Sequence, residues 1–335
     1  MKTILFYSSI SNKTLFKTQK FYQIDIDILQ SLGYTIILSN KISDALLFWK
    51  YDILFAYFYR KSFFAALFAK ICRKSIYFTG GIDDLDKAYA SKVKYYIQKV
   101  FFNLCYYIST SCIIVSRSDY NNVVQNLWSQ NRNKLSYSEH TIDTSKFVDI
   151  SMDREPMFST IVWQGVVENI KRKGVDKSLH LFSRIIKNAD FEKYKFIIMG
   201  KTGKGTEYID ELIQKYGIQD SVVITGEVSE EDKIAILMNS QFYFQLSEYE
   251  GFGIAALEAL CAGNIVIHSG KGGLSNSIYN VNGLLFDIDN EFMLEFDKLM
   301  KCIRSNKMNY NHIQQIRMQY DNARRLKDFK NIITQ

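Results

Sequence analysis

Short apolar runs rich in β-branched and aromatic residues recur at Thr3–Tyr7, Thr35–Leu38, Ile53–Phe58, Ser75–Phe78 and Cys112–Val115. Between them, apolar positions repeat at helical spacing over about 16–31, 62–73 and 88–108. Ser118, followed by Asp119, has the chemistry of a helix start. Strands alternating with helices of this length predict a parallel sheet wrapped by helices.

The rhythm restarts in the second half. Ser159–Trp163 reads as a strand leading to a glycine, a basic cluster and a helix to about Asn188. Strands at Lys195–Met199 and Val222–Thr225 follow, with helices at Glu207–Tyr216 and Glu230–Asn239. Gln241–Leu246 is the next strand, Ile254–Ala262 a helix of strong formers stopped by Gly263, and Ile265–Ile267 a strand. From Tyr310 a polar helix closes the sequence. Pro156, the chain's only proline, marks a linker around Asp153 to Met157. These signals divide the chain into residues 1–152, 153–309 and a tail at 310–335.

The richest chemistry lies where the Gln241–Leu246 strand meets its helix. Glu250 and Glu258 are separated by seven residues, with Gly251 and Gly253 directly after the first. That places Glu250 on the loop entering a helix and Glu258 about two turns along it. Glycines leave backbone N–H groups open at a helix start, where partial positive charge receives phosphate oxygens. An ionised glutamate beside it can accept two hydroxyls, as a ribose offers. A second glycine turn, Gly270-Lys271-Gly272-Gly273, follows the next strand. Either glycine turn alone is also what a plain αβ unit would carry; both together with the two glutamates point to a nucleotide sugar.

With 335 residues, 47% apolar and 23% charged, the chain has the composition of a folded two-domain protein rather than a disordered one. Five cysteines (Cys72, Cys105, Cys112, Cys261, Cys302) at wide spacing favour a reducing, cytoplasmic setting over a disulfide framework. The apolar run in MKTILFYSSISNK is too short for a signal peptide, and Arg60 and Lys61 interrupt the best candidate for a membrane span. A net charge of +7 implies an anionic partner, and nucleotide, nucleic acid and anionic membrane all qualify. No nucleic-acid recognition motif accompanies the charge, so nucleic acid is set aside.

The E-x7-E pair, the EGFG of Glu250 to Gly253, the later Gly272-Gly273 and the trailing NGLLFD (Asn282 to Asp287) together resemble the donor-binding signature of retaining GT-B glycosyltransferases, nearest to glycosyltransferase family 4. The resemblance implies an α/β GT-B fold, two Rossmann-like parallel-sheet domains facing a central cleft. The N-terminal domain would bind the acceptor and the C-terminal one the nucleotide sugar, with the tail crossing back. It implies that Glu250 meets the donor sugar, Glu258 the ribose, and backbone from Gly251, Phe252, Gly253, Ile254 and Ala255 the sugar and diphosphate. No cofactor or metal is implied beyond the donor, for which UDP is the favoured base.

The segment Lys171-Arg172-Lys173-Gly174 matches the family's Lys-Gly pair at Lys173-Gly174. Arg172 and Lys173 would neutralise the leaving diphosphate, although a solvated basic cluster before a helix has the same composition. The arginine usual after the strand-end glycine is absent: Gly165 is followed by Val166, and Arg172 is the candidate replacement. Gly226 resembles a loop packing near the base or is a plain turn. GKTGKG, at Gly200 to Gly205, lacks the GK[ST] of a P-loop and reads as an edge of the donor pocket. The first loop, SSISNKT, lacks the family's glycines, with Lys13 as a possible substitute or a solvated loop lysine.

In TGGIDDLD, Asp83 or Asp84 could position an acceptor hydroxyl, or the run is a tight turn before a helix. No earlier residue than His140 offers a histidine there, and His180, His268 and His312 lack metal-ligand spacing. Two basic aromatic helices, Arg60 to Lys74 and Lys87 to Tyr107, either lie on an anionic membrane or are core helices with a wet lysine face. The expectation is therefore a retaining, metal-independent, hexosyltransferase-type enzyme. It would transfer sugar to a glycan or lipid-linked acceptor in surface polysaccharide or lipopolysaccharide synthesis, in the cytoplasm or at the inner face of the plasma membrane. A non-catalytic GT-B subunit and a nucleotide-sugar epimerase are the alternatives.

Overall fold

A computed structural model describes residues 1–147, 154–277, 283–286, 292–305 and 310–334. Among these, the chain separates into two compact units, Met1–Asp143 with Tyr320–Gln335, and Thr144–Gln319.

The first unit is built on strands β1 (Thr3–Ser8), β2 (Thr35–Ser39), β3 (Ile53–Tyr57), β4 (Ser75–Thr79), β5 (Ser111–Ile114) and β6 (Leu135–Tyr137). They pair in parallel in the order β2-β1-β3-β4-β5-β6. Every residue of β3 and β5 is buried, as a parallel sheet covered on both faces requires. One face packs Leu5, Leu54, Ile76 and Ile114 against the helices Ser62–Ile71 and Lys92–Ile108. The other packs Ile4, Phe6 and Phe55 against helix Lys20–Ser31 and against Phe329 from the C-terminal stretch.

The second unit holds β7 (Glu155–Ile161), β8 (Lys195–Met199), β9 (Val222–Gly226), β10 (Ser240–Gln245), β11 (Ile265–His268) and β12 (Gly283–Leu285), ordered β12-β11-β10-β7-β8-β9. Chain order therefore reverses between β7 and β10, which lie side by side at the centre. In open α/β sheets a ligand sits beyond the carboxyl ends of the two strands at such a reversal. Stacked rings of Phe158, Phe242 and Phe244 form the core beneath it, with centroids 4.7 and 4.9 Å apart.

Several expectations need correction. Pro156 is not in a linker but inside β7, where Ser240 pairs with Glu155 and Phe242 with Phe158. The irregularity in that pairing leaves room for a residue without an N–H. The tail is two helices, Tyr310–Tyr320 and Asn322–Ile333, rather than one, and the division between units falls at Tyr320. Ser116 rather than Ser118 caps its helix, accepting from the Asp119 N–H. The first long helix breaks at Gln19. Asp153 of the expected linker, and Asn282 and Asp287 of NGLLFD, lie outside the described residues.

Candidate functional site

The central pair of strands, β7 and β10, delivers its two exit loops to one place. After β7, the short helix Val167–Arg172 ends in Lys173 and Gly174. Gly174 has φ +65°, and a Cβ there would come within 1.9 Å of the Leu246 carbonyl oxygen. Only glycine lets this turn rest on the exit of β10. The Glu248 N–H donates to the Arg172 carbonyl at 2.8 Å and fastens the two loops together.

That contact brings Lys173 to Glu250, with which it forms an ion pair. Glu250 is buried, and its Oε1 also accepts from Gln245 Nε2 at 3.0 Å and Ser247 Oγ at 2.9 Å. Three donors on a single oxygen hold the carboxylate in one orientation. Among the described residues no side chain donates to Oε2. Gln245 and Ser247 carried no signal of their own in the sequence; their part depends on the turn that follows β10.

Beyond Glu250 the chain turns through Gly251, buried Phe252 and Gly253 (φ +88°) into helix Ile254–Cys261, which has no side-chain cap. Its first N–H groups have no intrahelical partner, and no side chain among the described residues caps them. The second glycine turn rests directly on the first. Gly272 bridges to Glu250, and the Gly273 N–H donates to the Glu250 carbonyl at 2.6 Å. A Cβ on Gly272 would sit 2.3 Å from that carbonyl oxygen, and one on Gly273 would sit 2.4 Å from the Gly251 oxygen. The Gly-Gly pair is there so that one backbone can lie on another.

Glu258, buried on helix Ile254–Cys261, meets Lys233 Nζ at 2.7 Å. Lys233 also reaches Glu230 at 3.1 Å. Burial works to lower the Lys233 pKa, but pairing with Glu258 and Glu230 outweighs it and leaves the ammonium held above its ordinary value. Lys233 was missed from the sequence, because a lysine in the EEDK run of helix Glu230–Asn239 looks like an ordinary solvated charge.

The remaining candidates lie apart from these contacts. Arg172 donates to Asn169 Oδ1 at 2.9 Å, and Lys171 lies over the Tyr208 ring. Gly165 packs against the Trp163 indole, and Gly203 and Gly205 back onto Gln164 and Gly165. Lys204 and Gly205 are already in helix Lys204–Tyr216. Gly226 (φ +74°) ends β9, separated from β10 by β7 and β8. Burial pushes His268 down to about 4, so its ring is neutral, with Nδ1 accepting from the Gly270 N–H.

In the first unit, Asp83 and Asp84 form a 3-10 turn after β4, and Asp84 pairs with Arg60. Beneath it lies fully buried Asp119, which accepts from the Ile82 N–H at 3.3 Å. Burial, and then the charge of Asp83, push Asp119 up to about 8. His140 is buried among the same unit's side chains, its pKa lowered by burial and then by Arg325. Lys13 is tied to the Leu38 carbonyl at 2.8 Å.

Comparison with known proteins gives this geometry a context. Residues 166–316 match the family described as glycosyl transferases group 1. An uncharacterized glycosyltransferase of Methanocaldococcus jannaschii is 26% identical over 255 residues, 70% of this chain and 62% of its own length. A GDP-mannose:cellobiosyl-diphosphopolyprenol alpha-mannosyltransferase of Xanthomonas oryzae is 36% identical over 98 residues, 29% of this chain and 25% of its own. The alignments thus span less than two thirds of the length of these relatives. The Anabaena HepE crystal structure, solved in complex with UDP, superposes with a TM-score of 0.74 over all of both chains at 15% identity. The fold is GT-B: two α/β units, each on a parallel sheet.

Proposed function

From the match of residues 166–316 to glycosyl transferases group 1, we propose that the protein moves a sugar from a nucleoside diphosphate sugar to a hydroxyl acceptor. The observation carrying this reading is the Lys173–Glu250 ion pair beside the uncapped start of helix Ile254–Cys261. A fixed ammonium and a set of open N–H groups suit two phosphates whose charge grows as the sugar departs. Glu250 Oε1 is committed to its three donors, and Oε2 is the oxygen offered to a sugar hydroxyl. Glu258, held by Lys233, is offered to the ribose.

In the reaction we propose, the acceptor oxygen bonds to the anomeric carbon on the face the nucleotide leaves, so configuration is retained. The bond from that carbon to the diphosphate breaks, and the acceptor proton passes to the departing phosphate oxygen. Lys173 and the helix start stabilise the negative charge; no protein nucleophile and no metal are invoked. Arg172 is assigned a supporting electrostatic role, Gly165 and Gly226 the rim of the donor pocket, and Asp83 the acceptor side. UDP is the base we favour, and the GDP-mannose relative names the competing one. A glycan or lipid-linked acceptor used in surface polysaccharide or lipopolysaccharide synthesis fits the charge of the chain, with the reaction at a cytoplasmic membrane face.

The test is nucleotide release across UDP-, GDP- and ADP-sugars with glycan and lipid-extract acceptors. Lys173→Ala should lower kcat by roughly 10²–10³-fold if it stabilises the leaving group. Release at the wild-type rate in that variant would remove Lys173 from the chemistry. A non-catalytic subunit is the second reading, favoured by Val166, 40% exposed, at the position where many members of the resembled family carry arginine. It requires donor binding without release in wild type and Glu250→Ala alike.

A further inference from the structure

The first unit carries a surface that its own core does not explain. On helix Ser62–Ile71 the fully buried residues are small, Ser62, Ala65, Ala66 and Ala69, with Phe63 and Phe68 half-buried against the core. The large apolar residues Phe64, Leu67 and Ile71 face outward, Ile71 at 71% exposure. A helix whose only task is to cover a sheet keeps a polar outer face. The adjoining helix Lys92–Ile108 covers the sheet with Tyr95, Phe102, Cys105 and Tyr106, and still leaves apolar residues outside. Its inward face includes Gln98 and Asn103, whereas Val93, Tyr96, Ile97, Val100 and Tyr107 form an exposed stripe at helical spacing.

The two faces are continuous. Phe63 and Phe64 meet Phe101 ring to ring at 5.9 and 6.1 Å. Arg60 reaches across to Gln98 at 2.9 Å, which accounts for a glutamine on the inward side. Helix Ser62–Ile71 also packs against the turn Ile42–Leu46, which leads to exposed Phe48 and Trp49. Around this apolar area stand Lys61, Lys70, Arg73, Lys92 and Lys94, all exposed, and neither helix contains an aspartate or glutamate.

We propose that this face is a docking surface for an anionic lipid bilayer. Aromatic side chains at the headgroup level, aliphatic ones below and lysines at the margin are what an interfacial helix requires. The charge argues against a second copy as the occupant, because a two-fold contact would set lysines against lysines. The proposal deepens the transferase reading, on which it rests only for the nature of the acceptor: it makes that acceptor one presented at a membrane.

Co-sedimentation of the full chain with vesicles tests it. Binding is expected to vesicles of equimolar phosphatidylcholine and phosphatidylglycerol, with release by salt and little binding to phosphatidylcholine alone. Lys61→Glu with Lys70→Glu should weaken it roughly tenfold or more. Ile71→Ser with Val100→Ser should weaken it comparably, with far-UV circular dichroism and melting temperature retained. Equal partition of wild type and both variants overturns the proposal. So does a wild-type dimer, seen by light scattering, that Ile71→Ser with Val100→Ser dissociates. Donor turnover measured on a soluble acceptor separates the two ideas: vesicle binding without turnover of any donor sinks the transferase reading alone, and turnover without binding sinks this one alone.

Discussion

Lys233 Nζ lies 2.7 Å from Glu258 Oε1, joining the helix that follows β9 to the helix that follows β10. Both side chains are nearly closed off from solvent, and Glu230 adds a second carboxylate to the ammonium. A buried carboxylate held in this way keeps its position before any ligand arrives, which lowers the cost of ordering it on binding.

From this follows a prediction about donor affinity. Lys233→Ala should raise the KM for the nucleotide sugar about tenfold, or about 1.4 kcal/mol, with kcat little changed. Lys233→Arg should recover most of the loss. A fall in kcat with KM unchanged, or a variant that merely melts earlier, would show that the pair is structural and not a support for the ribose contact.

Gly174 yields a prediction about geometry. Its left-handed backbone and the Leu246 carbonyl 1.9 Å from a would-be Cβ leave no room for alanine. Gly174→Ala should cost roughly 2–4 kcal/mol of the second unit's stability and carry Lys173 away from Glu250. Thermal melting reads the first effect and nucleotide release the second. Gly217, also at positive φ but with open space around it, is the control: Gly217→Ala should cost less and leave release intact.

Asp119 yields a prediction about pH. Its pKa is 3.8 ordinarily and about 8 in the folded protein. Between those values the folded state keeps a proton that the unfolded state has lost. The contribution to stability is therefore full below about 4 and is lost as pH rises through about 8, at a slope of at most about 1.4 kcal/mol per pH unit. Asp119→Asn should flatten this trend, so that its melting temperature gains on wild type steadily from pH 5 to pH 8. Parallel curves would show that Asp119 is ionised in the fold.

Arg325 yields a prediction about the C-terminal helix. Fully buried, it donates from Nε to Asp25 Oδ1 at 2.6 Å and from Nη2 to Oδ2 at 2.9 Å, and its Nη1 donates to the Ser138 and Glu139 carbonyls. Arg325→Met strands a buried carboxylate and should cost about 3–5 kcal/mol in denaturant unfolding. Adding Asp25→Asn should return part of it. An additive double variant would mean that the two groups do not act as a pair.

Much of this architecture was legible in the residues. Strand-helix alternation gave the sheet-forming segments, because buried parallel strands are short apolar runs and the helices keep a polar face. The Glu250, Glu258 and Lys173-Gly174 signals were readable because glycines and charges at fixed spacing mark where a strand exits. Other features were hidden because they depend on long-range placement. Lys233 becomes a partner of Glu258 only after β9 and β10 take their places in the sheet. Gly272 and Gly273 stood out as a turn, but that their missing side chains make room for the backbone of Glu250 and Gly251 depends on the fold. Pro156 looked like a break between domains, and the irregular pairing that tolerates it inside β7 leaves no mark in local sequence.

The Asp25–Arg325 pair spans 300 residues of chain. On a ribosome, Asp25 emerges early, whereas Arg325 emerges only after the whole of 144–319 has been made. Until then the first unit holds a carboxylate with the Tyr57 hydroxyl but no cation beside it, and an uncovered face at Phe55, the ring that Phe329 later packs against. The half of the protein translated first is thus the half completed last, and nascent chains should draw on chaperones most during that interval.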